Sequence, residues 1–273
     1  MDYVTPKEVA GTMLSAALTK SSLATKDLLI RGMLSGALLA ISVTIAFTAV
    51  NQTSMPLMGA IVFPVGFIVI ILLGLELVTG SFAIIPIAYM EKQISAKKML
   101  NNLFWVFIGN LIGSLLYAIL YWAAITTLGA NDSSDPIAQM IIKASEKKTI
   151  GYMSFGSAGA MTMFIKAILC NWMVCMGVVM SMTSKSTIGK VIAAGMPIFM
   201  FFSLGFEHAV VNMFLIPAGI LFGANVSIAD WWYNQSIVTL GNIVGGLLFT
   251  GLAVFYTFNI KAKNTEVELQ KAS

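Results

Sequence analysis

Charged side chains are scarce in this sequence of 273 residues. Aspartate, glutamate, lysine and arginine make up 10% of it, whereas a soluble domain carries about 25%, and the mean hydropathy is +0.88. The net charge of +4 is spread over connecting segments and forms no basic stripe, which argues against a nucleic-acid partner. The sequence therefore predicts an integral membrane protein whose surroundings are the lipid bilayer.

Cysteine and histidine, two common metal ligands, are also rare. Cys170 and Cys175 are the two cysteines, and they lie in one apolar run, which excludes a disulfide scaffold and a cysteine-based zinc site. His208 is the single histidine in the sequence, so a cluster of imidazoles is impossible. We therefore expect neither a metal nor a cofactor.

Long apolar runs make up most of the chain, and six of them have about the 20 residues that a transmembrane helix needs. These predicted spans are Leu28–Val50, Leu57–Leu77, Leu100–Thr126, Ser157–Met182, Val191–Phe206 and Trp232–Ile260. Two shorter apolar pieces, Ser81–Met90 and Ala209–Gly223, follow the second and fifth runs directly. We interpret them as the second halves of interrupted helices, with breaks at Glu76–Ser81 and Ser203–His208.

Basic residues in the connecting segments predict the orientation of these spans. With a cytoplasmic N-terminus, twelve lysines and arginines lie inside and three, Lys143, Lys147 and Lys148, lie outside. Because cytoplasmic loops carry an excess of such residues, both termini are predicted to be cytoplasmic, in the plasma membrane. We expect one channel domain with an amphipathic cytoplasmic segment at 1–26, a first repeat at 27–130, a second repeat at 157–262 and a cytoplasmic tail at 263–273.

Short motifs recur between the two halves of the chain. Leu73–Glu76 returns as Leu204–Glu207 after 131 residues, and Gly109–Gly113 returns as Gly241–Gly245 after 132. Each half has an odd number of crossings, so the halves must run through the membrane in opposite directions. Inverted repeats with broken helices place a substrate path near the bilayer midplane. We therefore predict an all-α integral membrane protein of six transmembrane helices, built as two inverted three-helix repeats with broken second and fifth helices, that transports a solute.

Few ionisable side chains remain inside the predicted spans, and a charge at the bilayer centre costs about 3 kcal/mol. Glu76 and Glu207 occupy equivalent positions of the repeat. We interpret each as a cap for the backbone amides at its own helix break.

His208 differs because its counterpart in the first half is the apolar Leu77, so the repeat does not require an imidazole there. A histidine titrates near pH 6.5 in water, which suits a change of charge in the cell. We predict that His208 faces Thr79 and has a functional role. Thr79 and Ser81 offer hydroxyl groups to an anion.

Four motifs resemble those of the formate/nitrite transporter family, over about residues 5–262. They are Glu76–Gly80, Lys166–Cys175, Gly205–Phe214 followed by Ile216–Pro217, and Gly241–Gly246. The resemblance implies an aquaporin-like protomer and a homopentamer with a separate pore in each subunit. It also implies transport of a small monovalent anion across the membrane.

The resemblance assigns roles to individual positions, with His208 as the central pore histidine. The pore or substrate-contacting positions are His208, Thr79, Asn171, Glu207 and Ser81. The constriction positions are Leu77, Phe63, Phe201 and Phe67, which replaces a leucine of the formate channel. The candidate vestibule lysines are Lys148, Lys147 and Lys166.

The expected function is pH-dependent passage of formate, which acquires a proton near His208. A nitrite-preferring transporter of the same family is the alternative. An intramembrane enzyme with His208 and Glu207 as an acid–base pair is a candidate of another class, but the sequence offers it no nucleophile or metal site. A water channel is disfavoured because neither break contains Asn-Pro-Ala.

Overall fold

The structure is a computed structural model that describes residues 2–258, and every helix or strand assigned in that range is a helix. In chain order the helices are α1 (Pro6–Ser22), α2 (Thr25–Thr53), α3 (Pro56–Val62), α4 (Pro64–Leu72), α5 (Val78–Met90), α6 (Ala96–Ile125), α7 (Pro136–Lys148), α8 (Ile150–Met153), α9 (Gly156–Ser181), α10 (Thr187–Ser203), α11 (Ala209–Phe222), α12 (Ile228–Gly246) and α13 (Ala253–Phe258). A π-helical segment, Leu247–Leu252, joins α12 to α13. The predicted all-α class is confirmed.

Four helical runs are long and apolar enough to cross a membrane: α2, α6, α9 and the run Ile228–Phe258. The remaining apolar helices are shorter and follow one another in pairs, with α3 and α4 before α5 and α10 before α11. The sixth predicted span contains a π-helical turn that the apolar pattern does not reveal. Its last residues and the predicted tail 263–273 lie outside the described residues.

Two breaks interrupt the paired short helices, at 73–77 and at 204–208. The second agrees with the predicted break at Ser203–His208. The first was placed too far along the chain, because Ser81 lies in the first turns of α5 instead of in the break. Helix α5 begins at Val78 because a side chain from α6 accepts a hydrogen bond from the backbone amide of that residue.

The two breaks have the same backbone shape. Each turns at a glycine in the left-handed region, Gly74 with φ of 61° and Gly205 with φ of 63°, a conformation that glycine adopts without strain. Each ends on an extended residue, Leu77 with φ −119° and ψ 118° and His208 with φ −118° and ψ 121°. The side chain at the last position of the break therefore differs between the two halves, although the backbone conformation is the same.

Helices α5 and α11 form the centre of the molecule, since every residue is buried from Val78 to Ala88 and from Ala209 to Gly219. Glycines let the surrounding long helices approach closely, as the sequence suggests. A methyl group on Gly32 of α2 would lie 3.1 Å from the Cα of Gly109 in α6. This packing fixes the distances between the two breaks and the helices around them.

Candidate functional site

His208 and Thr79 bring the two broken helices together. The Nε2 atom of His208 lies 3.1 Å from the Thr79 hydroxyl oxygen, and both residues are buried. His208 also caps α11, because its Nδ1 atom accepts a hydrogen bond of 3.2 Å from the amide of Val211. With Nδ1 as acceptor, the neutral ring carries its hydrogen on Nε2, which then donates to Thr79.

Two residues of α9 donate hydrogen bonds to the backbone carbonyl of Thr79. Asn171 donates from Nδ2 to the Thr79 carbonyl at 3.0 Å, and Cys175 donates from Sγ to the same carbonyl at 3.3 Å. Asn171 also donates to the carbonyl of Asn242 at 2.6 Å. The predicted pore residue Asn171 therefore joins α9 to the backbone of α5 and α12, next to the His208–Thr79 pair.

Asn242 of α12 caps the second break. Its Oδ1 accepts from the amide of Ala209 at 2.8 Å, while its Nδ2 donates to the carbonyls of Ala167 at 2.8 Å and Glu207 at 3.0 Å. Asn242 thus satisfies three backbone groups that a helix interruption in an apolar interior would otherwise leave without partners. Its side chain ties α12, α9 and the start of α11 to one point.

Asn110 of α6 makes the same three bonds at the first break. It accepts from the amide of Val78 at 2.9 Å and donates to the carbonyls of Gly32 at 2.8 Å and Glu76 at 2.9 Å. Both asparagines belong to the repeated Gly-Asn motif of Gly109–Gly113 and Gly241–Gly245, and no role was predicted for them. A signal for their role was present in the sequence, because an amide side chain recurs at the same position of the repeat inside two apolar helices.

The interpretation of Glu76 and Glu207 as caps of their own breaks is wrong. Asn110 and Asn242 take the backbone amides there, so the carboxylates are free to bind side chains. Glu207 accepts from Lys148 at 2.7 Å and from Tyr152 at 3.1 Å. Glu76 pairs with a residue that the sequence did not single out, Lys20 of α1, at 2.9 Å.

The three candidate vestibule lysines have different contacts in the structure. Lys148 is bound to Glu207, and Lys166 lies over the ring of Tyr152, with 5.5 Å from Nζ to the ring centroid. Lys147 is exposed and has no such contact with Glu207 among the described residues. Two cations thus gather around one buried carboxylate, directly or through the ring of Tyr152.

Aromatic rings cover one side of His208. Phe201 stacks on the imidazole with 5.7 Å between ring centroids, and Phe63 meets Phe201 edge-on at 5.6 Å. Phe202, which the sequence did not single out, stacks on Phe63 at 4.0 Å. Of the predicted aromatic pair, Phe201 therefore contacts the imidazole and Phe63 contacts Phe201.

A cavity of about 1490 Å³ lies on another side of the site, between α1, α4, α5 and the end of α9. We call it the Lys20 cavity. Lys20, Phe67, Leu77 and Ser81 are among its lining residues, whereas His208 is not. Four lysines and one glutamate contribute to the lining, so the described wall carries more positive than negative charge. Phe67 and Leu77 thus both line this cavity, whereas Phe63 and Phe201 do not.

Comparison with known proteins relates this arrangement to a family. A family model described as formate/nitrite transporter matches residues 7–256. The uncharacterized transporter YrhG of Bacillus subtilis is 32% identical over the full length of both chains. A probable formate transporter of Methanothermobacter thermautotrophicus is 36% identical, over 72% of this chain and 73% of its own. The formate channel FocA of Haemophilus influenzae is 33% identical, over 72% of each chain.

Solved structures share the fold. An FNT family ion channel superposes with a TM-score of 0.74 at 24% identity, covering 92% of this chain and 98% of its own. A pentameric formate channel with formate bound gives a TM-score of 0.70 at 24% identity, with 86% and 98% covered. These relatives are channels and transporters, not enzymes, and no group of three possible metal ligands occurs within residues 2–258. The chain is a membrane protein that belongs to the formate/nitrite transporter family.

Proposed function

We propose that this protein carries formate across the plasma membrane through a pore between the two helix breaks, and that the anion acquires a proton near His208. The observation that supports this most strongly is the contact of 3.1 Å between His208 and Thr79, which joins the two breaks inside an apolar core. A buried imidazole and hydroxyl can both donate hydrogen bonds to a small anion.

The membrane arrangement in this proposal has six crossings. The four long runs cross singly, and each pair of short helices combines across its break into one further crossing. The matching hydrogen bonds of Asn110 and Asn242 support two inverted repeats. Both termini then lie in the cytoplasm. The solved relative with formate bound is pentameric, and we propose the same assembly, with one pore in each subunit.

The proposed path starts in the Lys20 cavity at the cytoplasmic side. It passes Phe67 and Leu77, reaches the His208–Thr79 pair and leaves between Phe201 and Phe63. The outer vestibule follows, and its candidate lysines are Lys148, Lys147 and Lys166. Asn171 and Glu207 support the pair at the centre, through the bonds already described.

Desolvation explains why a proton is needed on this path. An ionised carboxylate transferred unpaired into an apolar constriction loses hydration energy that the phenylalanine rings do not replace. Lysine charge draws the anion into a vestibule, and the neutral acid crosses the rings once a proton has been transferred beside His208. Net movement of formate then carries one proton with it, and the flux follows the proton gradient.

Exchange of His208 for asparagine tests the proposal. Asparagine is a good helix N-cap, so His208→Asn preserves the start of α11 but removes the imidazole. A comparison between about pH 5 and pH 8 covers the range in which an unperturbed histidine changes charge. We expect the proton-coupled uptake of formate to fall about 100-fold, at the low end of what a positioned acid–base group contributes. The measurement is uptake of radiolabelled formate and nitrite by proteoliposomes across this pH range, with proton movement followed by a pH-sensitive dye.

Unchanged proton coupling in His208→Asn would contradict the proposal, and so would formate flux without protons in the native protein at acidic pH. Competition between formate and nitrite in the same assay identifies the preferred anion. His208→Ala is the matched variant for the cap, since it removes the imidazole and leaves no side-chain acceptor for the Val211 amide.

Phe67 is expected to limit the size of the transported acid. Phe67→Leu removes a buried ring from the Lys20 cavity and should raise the ratio of acetate flux to formate flux by up to about tenfold, because one added carbon at a tight contact discriminates to about this extent. Fluxes of both acids in proteoliposomes measure the ratio. Phe104→Leu is the control, because Phe104 is 55% exposed on α6. An unchanged ratio would remove Phe67 from the proposed constriction.

A further inference from the structure

Polar side chains around the two buried carboxylates follow one plan in both halves. In the second half Lys148 binds Glu207 through Nζ, and its carbonyl accepts from Nδ2 of Asn234 at 2.7 Å. In the first half Lys20 binds Glu76 through Nζ, and its carbonyl accepts from Nδ2 of Asn102 at 2.8 Å. In each half, one lysine therefore binds a glutamate through its side chain and an asparagine through its backbone carbonyl.

The second half adds a bridge between these two side chains. Asn212 donates both hydrogens of its amide, one to Glu207 at 3.0 Å and one to Oδ1 of Asn234 at 2.9 Å. The equivalent residue of the first half is Ser81, which follows Glu76 by five residues as Asn212 follows Glu207. A serine side chain is shorter and carries one hydroxyl hydrogen, so it cannot make both bonds.

Three buried atoms of the first half have no hydrogen-bond partner within the described part of the chain: Oε2 of Glu76, Oγ of Ser81 and Oδ1 of Asn102. Their residues are 1%, 1% and 2% exposed. Each such atom costs about 1–3 kcal/mol if it stays unpaired, and buried polar groups are rarely left so. All three belong to the residues that correspond to Glu207, Asn212 and Asn234.

We propose that Glu76, Ser81 and Asn102 bind one structural water molecule, which takes the place of the Asn212 amide group. The water donates to Glu76 and to Asn102 and accepts the hydroxyl hydrogen of Ser81. Three hydrogen bonds are the usual number for a buried water. An anion does not fit a site that presents a carboxylate, and Lys20, whose Nζ is 2.9 Å from Glu76, opposes a second cation.

This water makes the two carboxylates chemically different. Ser81 and Lys20 both line the Lys20 cavity, so the bound water lies between Glu76 and this cavity. Glu207 instead receives its hydrogen bonds from three protein side chains, those of Lys148, Tyr152 and Asn212. The surroundings of one carboxylate are therefore completed by a water molecule and those of the other by a protein amide, within two frames that are otherwise alike.

Reciprocal variants test the water site. Cryo-electron microscopy of the full-length protein in lipid nanodiscs, at a resolution that shows buried waters, should give one peak between Glu76 and Asn102 and none between Glu207 and Asn234. Ser81→Asn should lose the peak and place its amide there. Asn212→Ser should keep the first peak and gain a second one beside Glu207.

Three results would overturn the proposal: no peak at the first site while other buried waters are visible, a peak that persists in Ser81→Asn, or a peak that disappears when sodium is replaced by choline. If Asn212→Ser does not fold, the native protein and Ser81→Asn decide, since the peak must be present in one and absent in the other. Thermal unfolding adds a second measurement, in which Ser81→Asn should melt above Ser81→Ala.

Discussion

Replacement of Asn110 by alanine should unfold the protein or lower its melting temperature more than any single change outside the two asparagine caps. The substitution removes the partner of the Val78 amide and of the carbonyls of Gly32 and Glu76. Each buried group left unpaired costs about 1–3 kcal/mol. Three such losses approach the entire stability of an ordinary domain, about 5–15 kcal/mol.

The measurement is thermal unfolding of purified protein in detergent, followed by fluorescence-detected size exclusion. Asn101→Ala is the matched control on the same helix, because Asn101 is exposed and its side chain accepts from Trp105 of its own helix and from no other residue within 2–258. Asn242→Ala should behave like Asn110→Ala, since Asn242 makes the same three bonds at the other break. If Asn110→Ala had a melting temperature close to that of Asn101→Ala, the asparagine caps would not stabilise the breaks.

Replacement of Lys20 by methionine should be the most damaging change after the loss of either asparagine cap. Glu76 then keeps a buried carboxylate with no cation, and loss of one partner of a buried ion pair costs about 3–5 kcal/mol. Lys148→Met should be milder, because Glu207 retains Tyr152 and Asn212. Thermal unfolding of the two variants gives the comparison.

A second substitution separates charge from packing in this test. Lys20→Met combined with Glu76→Gln removes both charges, so most of the lost stability should return. Lys147→Met is the control, since Lys147 is exposed and lies on the same helix as Lys148. If the double variant melts no higher than Lys20→Met, the ion pair is not what stabilises this region.

The sequence predicted the helical class, the two interruptions and the residues that meet at the second one. These predictions succeeded where the pattern was local. The length of an apolar run, a glycine beside a glutamate and a histidine at the end of a break can all be read within a few residues. The first break was placed at Glu76–Ser81, whereas Thr79 and Ser81 lie inside α5, which begins where the Asn110 side chain accepts from the Val78 amide.

The errors concern contacts between residues distant in the chain. Asn110 binds the amide of Val78 across 32 residues, and Lys20 binds Glu76 across 56. A single sequence indicates that a buried carboxylate needs a partner, but it does not say which helix supplies it. The recurrence of Gly-Asn at one register was the signal that identifies the asparagines, and the sequence gives no equivalent signal for Lys20.

The two breaks also bear on how this scaffold can diversify. Leu77 and His208 have backbone angles that agree within a few degrees, although one side chain is aliphatic and the other is an imidazole. The architecture thus accepts either chemistry at the same corner without rebuilding its turns. Exchange of a single corner residue can therefore alter the chemistry at this point, while the asparagine caps that hold the chain there stay untouched.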